Sequence, residues 1–130
     1  MTYALSTRSK QRIKGIDSRM IEIADLAIIL TAIDFGIPKD GGTRTAERQR
    51  ELFDQGLSKC DGIDRPSYHQ KGMALDFFAY VDNKASWNET HLAMVATAFL
   101  QSASFLGYKL QWGGLWQRFR DMPHVQLLDD

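Results

Sequence analysis

Two histidines and two aspartates stand where their side chains could do chemistry. His69 opens the string His69-Gln70-Lys71-Gly72-Met73-Ala74-Leu75-Asp76, and His124 closes Asp121-Met122-Pro123-His124. Gly72 breaks any helix, so His69 and Asp76 do not stack on successive turns. The chain is expected to turn at Lys71-Gly72 and send Asp76 back along a strand. There Asp76 lies between Leu75 and Phe77. An ionised carboxylate buried at that position without a partner would cost several kcal/mol, so a cation or a hydrogen-bond donor is expected in front of it. Pro123 forces extended geometry on Met122 and leads His124 into a second polar-fronted strand, with Gln126 on the same face. Zinc accepts His nitrogen and Asp oxygen. Two imidazoles and one carboxylate would leave its fourth position open, as in catalytic sites. Asp121 is near enough in sequence to act on a water there. On spacing alone other readings stay open: Asp76 can pair with an arginine, His69 can be a loop residue and Asp121 a surface charge. His91 reads as an exposed residue in the first turn of a helix. No His-Glu-x-x-His helix motif is present, and Cys60, the one cysteine, cannot build a thiolate-rich site.

The elements that must position these groups can be read from periodicity. Residues 73–81 alternate, with Met73, Leu75, Phe77, Ala79 and Val81 on one face and Ala74, Asp76, Phe78 and Tyr80 on the other, which predicts a strand. Tyr108 to Trp112 and His124 to Leu127 read as two more, with Asp82-Asn83-Lys84 and Gly113-Gly114 as turns. Asp17 or Ser18 can cap a helix over Met20 to Phe35, ended by Gly36 and Pro38. Thr45 can cap another over Ala46 to Gln55. Leu92, Val95, Ala96, Phe99, Leu100 and Ala103 recur at helical spacing within 88–105. Residues 57–68 read as a loop. The expected fold class is α+β, a small and mainly antiparallel sheet packed against helices, with the metal site on the open face of the sheet. Residues 1–16 read as a polar N-terminal arm, and 17–130 as a single domain.

Composition narrows the function classes. The 130 residues are 44% hydrophobic and 25% charged, an ordinary globular mix. A chain of this length suffices for one domain with a real core. Lys+Arg and Asp+Glu are both 16, so the basic excess of a general polyanion binder is missing and nucleic acid is not an expected partner. Basic residues do gather near the start: Arg8, Lys10, Arg12, Lys14 and Arg19 face only Asp17 among the first twenty positions. One cysteine excludes an internal disulfide. The apolar run from Ile21 to Ile33 is too short and too charged to span a membrane. The first residues do not read as a signal peptide, so synthesis in the cytoplasm is expected, without stable membrane insertion.

Together these segments resemble a known family. Ser67 to Asp76 fits the Ser-x-His-x-x-Gly-x-Ala-x-Asp signature of the zinc D-alanyl-D-alanine carboxypeptidase and L-alanyl-D-glutamate endopeptidase family. Asp121-Met122-Pro123-His124 fits its second motif, an acidic residue three before the last zinc-binding histidine. Gly42-Thr43-Arg44-Thr45-Ala46-Glu47-Arg48-Gln49 resembles its Gly-x-Arg-Thr-x-x-x-Gln segment. Trp112-Gly113-Gly114-Leu115-Trp116 with Phe119 is similar to the stretch preceding the last motif in phage endolysins of this group. The likeness runs in order from about Asp17 to Leu127, and is nearest to the short, single-domain endolysin branch.

This resemblance implies one catalytic Zn2+ held by His69, Asp76 and His124. It implies Asp121 as general base and Arg44 as the cation that meets a substrate carboxylate or the developing oxyanion. Ser67 and Gln49 are implied as lining or supporting the substrate site, while Tyr68, Phe78, Trp112 and Trp116 are candidates for groove walls or packing, with Trp112 also a candidate substrate contact. The implied activity is hydrolysis of peptidoglycan stem peptides at the L-alanyl-D-glutamate bond, by a monomer that reaches the cell wall through a separately encoded pore. The alternatives are a D-alanyl-D-alanine carboxypeptidase and a non-catalytic cell-wall-binding module; the acidic residue at 121 argues against the second. The family offers no role for the basic N-terminal arm.

Overall fold

The computed structural model of the chain describes residues 2–56, 69 and 71–128. The expected 57–68 loop, with Cys60, Ser67 and Tyr68, lies outside them. The elements run α1 (Thr7–Arg12), α2 (Ser18–Leu30), β1 (Asp34–Gly36), α3 (Ala46–Asp54), β2 (Ala74–Asp76), β3 (Phe78–Val81), β4 (Lys84–Ser86), α4 (Glu89–Leu106), β5 (Leu110–Trp112), a 3-10 turn (Gly113–Leu115) and β6 (His124–Leu127). This is an α+β fold, but among the described residues the strands form two three-stranded sheets instead of one: β1-β3-β4 and β2-β6-β5, with every pairing there antiparallel.

The expected strand over 73–81 accordingly divides at Phe77. Its backbone N–H makes the last rung of the β2–β6 register, to the Pro123 carbonyl at 2.8 Å, and the next residue, Phe78, pairs instead with Gly36 of β1. Its ring is fully buried and stacks on Phe99, with centroids 5.1 Å apart. The alternation persists through the break: Leu75, Phe77 and Ala79 are buried while Asp76, Phe78 and Tyr80 are not. Period two records which face a residue takes, not which sheet it joins. Asp82 and Asn83 both have positive φ and close a two-residue hairpin onto β4, which the sequence reading had not assigned as a strand.

The caps expected at Asp17 and Thr45 are present, and Asn88, for which no role was expected, caps α4. Asp17 accepts from the Arg19 backbone N–H, Thr45 from Arg48 and Asn88 from Thr90. Gly107, at φ +82, ends α4 in the left-handed conformation that glycine adopts without steric cost. Helix α2 stops at Leu30, short of the expected Phe35. Thr31 turns extended and its hydroxyl donates to the Ile33 carbonyl at 2.7 Å, and Asp34–Gly36 then pair with β3. A run apolar on all sides does not distinguish a buried helix from a buried strand, and this one contains both.

Over its described residues, 2–16, the expected polar arm is packed onto the domain. Leu5, Ile13 and Ile16 are buried in the main core. The Ser9 hydroxyl accepts from the Ile37 N–H at 2.9 Å, and Arg12 Nη1 donates to the Ile37 carbonyl at 2.7 Å. The buried positions recur every three or four residues, and the basic side chains between them masked that stripe. The core joins this segment to α2, α4 and the inner faces of both sheets, where Phe99 lies between Phe35 and Phe77.

Candidate metal centre

The site forms where β2, β6 and the turn after β1 meet. Asp76 and His124 are direct cross-strand partners in the β2–β6 ladder, which places their side chains on one face. His69 lies just before β2 and is buried, at 3% exposure. One donor atom from each of His69, Asp76 and His124 lies within 4.8 Å of the others, the arrangement of a group able to hold a metal ion.

The hydrogen bonds decide which atoms those donors are. His69 Nδ1 is 2.9 Å from the Gly42 carbonyl oxygen, which can only accept. Nδ1 therefore carries the proton, and Nε2 faces Asp76 Oδ1 at 3.1 Å. His124 Nε2 is 2.8 Å from Gln126 Oε1, and the Gln126 amide nitrogen donates in turn to Gln111 Oε1 at 3.3 Å. Nε2 is thus the protonated nitrogen, and Nδ1 faces the same Asp76 Oδ1 at 2.9 Å. Two imidazole nitrogens whose ring partners already hold a proton point at one carboxylate oxygen. As neutral rings they would set lone pair against lone pair. The set becomes favourable only with extra protons or with a cation among the three, and outer N–H groups fixed by a carbonyl or amide are the usual support of metal-binding histidines. The chemistry of the donor set therefore fits a divalent ion such as zinc.

The electrostatics follow the same geometry. Burial pushes the Asp76 carboxyl up, but the rings of His69 and His124 more than reverse this and hold it well below the ordinary carboxylate range. Burial opposes charge on His124, yet the hydrogen bond to Asp76 outweighs it and raises that imidazole. Asp76 Oδ2, the oxygen turned from the histidines, receives Arg44 Nη2 at 3.3 Å.

Asp121 borders this group without joining it. Its Oδ2 is 3.9 Å from His124 Nδ1, and its side chain is 45% exposed. Burial first, and the Asp76 charge second, push its carboxyl up. Its carbonyl packs so closely on the Cα of Gly113 that any side chain there would collide. Arg44 donates from Nε to the Asp40 carbonyl at 3.0 Å and from Nη1 to Gln49 Oε1 at 3.1 Å.

Gln49 is fully buried and its Oε1 accepts from Arg44 Nη1. Trp112 is half-buried against the core, with its Nε1–H on the Met122 carbonyl at 2.7 Å, which ties the 121–124 segment to β5. That bond makes it a support more than an open contact. The Trp116 ring faces His124, with centroids 5.3 Å apart. Ser67 lies outside the described residues. The sequence reading missed the Gly42 carbonyl and gave Gln126 no role. Period two had placed Gln126 beside His124, and that was the available signal.

Known proteins share this framework. The family described as phage L-alanyl-D-glutamate peptidase matches residues 1–128. The L-alanyl-D-glutamate peptidase of Escherichia phage T5 is 28% identical over 122 residues, which are 93% of this chain and 87% of that one. The peptidoglycan L-alanyl-D-glutamate endopeptidase CwlK of Bacillus subtilis (strain 168) is 31% identical over 107 residues, 67% of this chain and 58% of that relative. The crystal structure of Serratia marcescens L-Ala D-Glu endopeptidase ChiX superimposes with a TM-score of 0.84 at 28% identity, covering 96% of this chain and 90% of that one. The match takes in the N-terminal helix, both sheets and the His-Asp-His group in one stretch, and the chain belongs to the phage L-alanyl-D-glutamate peptidase family.

Proposed function

We propose that this protein hydrolyses the L-alanyl-D-glutamate bond of peptidoglycan stem peptides with one zinc ion held by His69 Nε2, Asp76 Oδ1 and His124 Nδ1. The observation that carries the reading is the convergence of the two imidazole nitrogens on a single Asp76 oxygen, with each ring's other nitrogen already committed. The names of the relatives supply the scissile bond. When bound, the zinc polarises the scissile carbonyl and makes water nucleophilic at neutral pH.

The protein's own residues do the rest. Asp121 stands at the rim of the ligand group with a carboxyl raised by burial, suited to take a proton from the attacking water and pass it to the leaving amine. Three of the five N–H groups of Arg44 are engaged by described residues, on Asp40, Gln49 and Asp76. The other two can meet a substrate carboxylate or the developing oxyanion. Trp116 walls the site beside His124. The phage origin of one relative supports a lytic role on the bacterial wall, reached through a pore that another protein supplies.

Mass spectrometry of purified peptidoglycan digested by the intact chain tests the reading. The expected product is a peptide with a new N-terminal D-glutamate, abolished by chelator and restored by zinc. Loss of a single terminal alanine would assign a carboxypeptidase instead, and binding to wall without new amine ends a binding module.

A further inference from the structure

Three consecutive carbonyl oxygens in the turn after β1 each receive a different site residue. Asp40 O accepts Arg44 Nε at 3.0 Å, Gly41 O accepts the Asp76 backbone N–H at 2.8 Å, and Gly42 O accepts His69 Nδ1 at 2.9 Å. The aim of the centre depends on the conformation of this turn. Asp40 is at φ +64, in the left-handed region that L side chains rarely adopt, although aspartate tolerates it better than most. Outside the centre, Arg48 on α3 grips Asp40: Nε and Nη2 reach Asp40 Oδ2 at 3.1 and 2.8 Å, and Nη1 anchors on Glu51 at 2.9 Å.

We propose that Asp40 and Arg48 are positioning residues: their ion pair holds the left-handed turn so that the Asp40 carbonyl aims the Arg44 guanidinium at the site. Neither residue touches the His-Asp-His group, and neither is catalytic. The pair is partly exposed, at 34% for Arg48 and 24% for Asp40, and such pairs add little global stability. Its removal should free the turn without unfolding the chain. A small displacement of a group that must meet a substrate can cost up to about a hundredfold in rate. The kinetic part of this inference rests on the hydrolase reading; the placement of Arg44 does not.

The test uses the full chain as wild type and as Asp40→Ala, Asp40→Asn, Arg48→Ala, Arg44→Ala and Asp40→Ala/Arg44→Ala. The first readout is independent of catalysis: hydrogen exchange of the Arg44 Nε–H by nitrogen-15 NMR. Exchange should accelerate about tenfold or more in Asp40→Ala and Arg48→Ala. It should return toward wild type in Asp40→Asn, whose amide oxygen still accepts from Arg48. The second readout is kcat/KM on a defined L-Ala-D-Glu peptide. It should fall about tenfold in both alanine variants, with no further loss when Asp40→Ala is added to Arg44→Ala. Arg48→Ala leaves Asp40 itself intact, so the result does not depend on how an alanine at 40 tolerates the turn. Unchanged Arg44 exchange, or fully additive kinetic losses, overturns the proposal. If the wild type fails to cleave the peptide, the function assigned above is wrong, and the exchange measurement alone decides whether the pair places Arg44.

Discussion

Gln126 accepts the outer ring N–H of His124 at 2.8 Å, and this bond decides which imidazole nitrogen faces Asp76. The two residues are two apart on β6, so period two sets them side by side on one face. Gln126 is itself held by Gln111 on the neighbouring strand. A hydrogen-bonded line therefore runs from Gln111 through Gln126 and His124 to Asp76, and from Asp76 through His69 to the Gly42 carbonyl.

Replacing Gln126 with leucine should remove the constraint on the His124 tautomer while leaving the strand pairing intact. Zinc affinity, measured by competition with a chromophoric chelator, is expected to fall about 10–100-fold. The unfolding midpoint of the metal-free protein should move little. Unaltered affinity would mean that the Gln126 bond does not orient the ligand.

Gly42 has no room for a side chain, because a Cβ would run into the Arg12 carbonyl. Gly42→Ala must push α1 away or drag the Gly42 carbonyl off His69. A destabilisation of about 1–3 kcal/mol in urea unfolding is expected, with a loss of zinc affinity beside it. Gly113→Ala, which collides with the Asp121 carbonyl, should instead lower hydrolysis more than metal binding.

Ser102 is fully buried in α4, and among the described residues its hydroxyl is the one buried side-chain polar atom without a hydrogen-bond partner. An unpaired hydroxyl costs about 1–3 kcal/mol to bury. Ser102→Ala is therefore expected to leave stability unchanged or raise it by about 1 kcal/mol, read from the chemical-denaturation midpoint. A clear loss would reveal a partner for the hydroxyl.

Asp17 caps α2, and its carboxyl is held below its ordinary value, chiefly by the side-chain hydrogen bond from Arg19. A depressed carboxyl stabilises the fold above its unfolded value of 3.8, and that contribution is lost as pH falls through the lower folded value. Asp17→Ala should cost about 1 kcal/mol at pH 7. The gap to wild type should narrow as unfolding is followed below pH 4. A gap of constant size would assign the cap no charge dependence.

Much of the site was legible because its residues are spaced by local rules. Gly72 forced a turn between His69 and Asp76, Pro123 forced His124 into a strand, and alternation put Asp76 on the polar front. The caps at Asp17 and Thr45 were legible for the same reason: each is a short-range bond between a side chain and a nearby N–H. The features without a local signal are long-range. Nothing near Phe77 announces that pairing with β6 ends there and that Phe78 turns to β1, so the division into two sheets was hidden. The apolar run through Ile33 looked the same on either side of the helix end. Leu5, Ile13 and Ile16 were masked by the lysines and arginines among them. Gln49 stands at a motif position, but its full burial and its bond to Arg44 are long-range facts that no local rule announces.

The most direct measurement is a crystal structure of the zinc-loaded protein with anomalous data collected at the zinc edge. One peak is expected, bound by His69 Nε2, Asp76 Oδ1 and His124 Nδ1, with Gly42 and Gln126 still holding the outer nitrogens. A peak on other residues, or none at saturating zinc, would contradict the account.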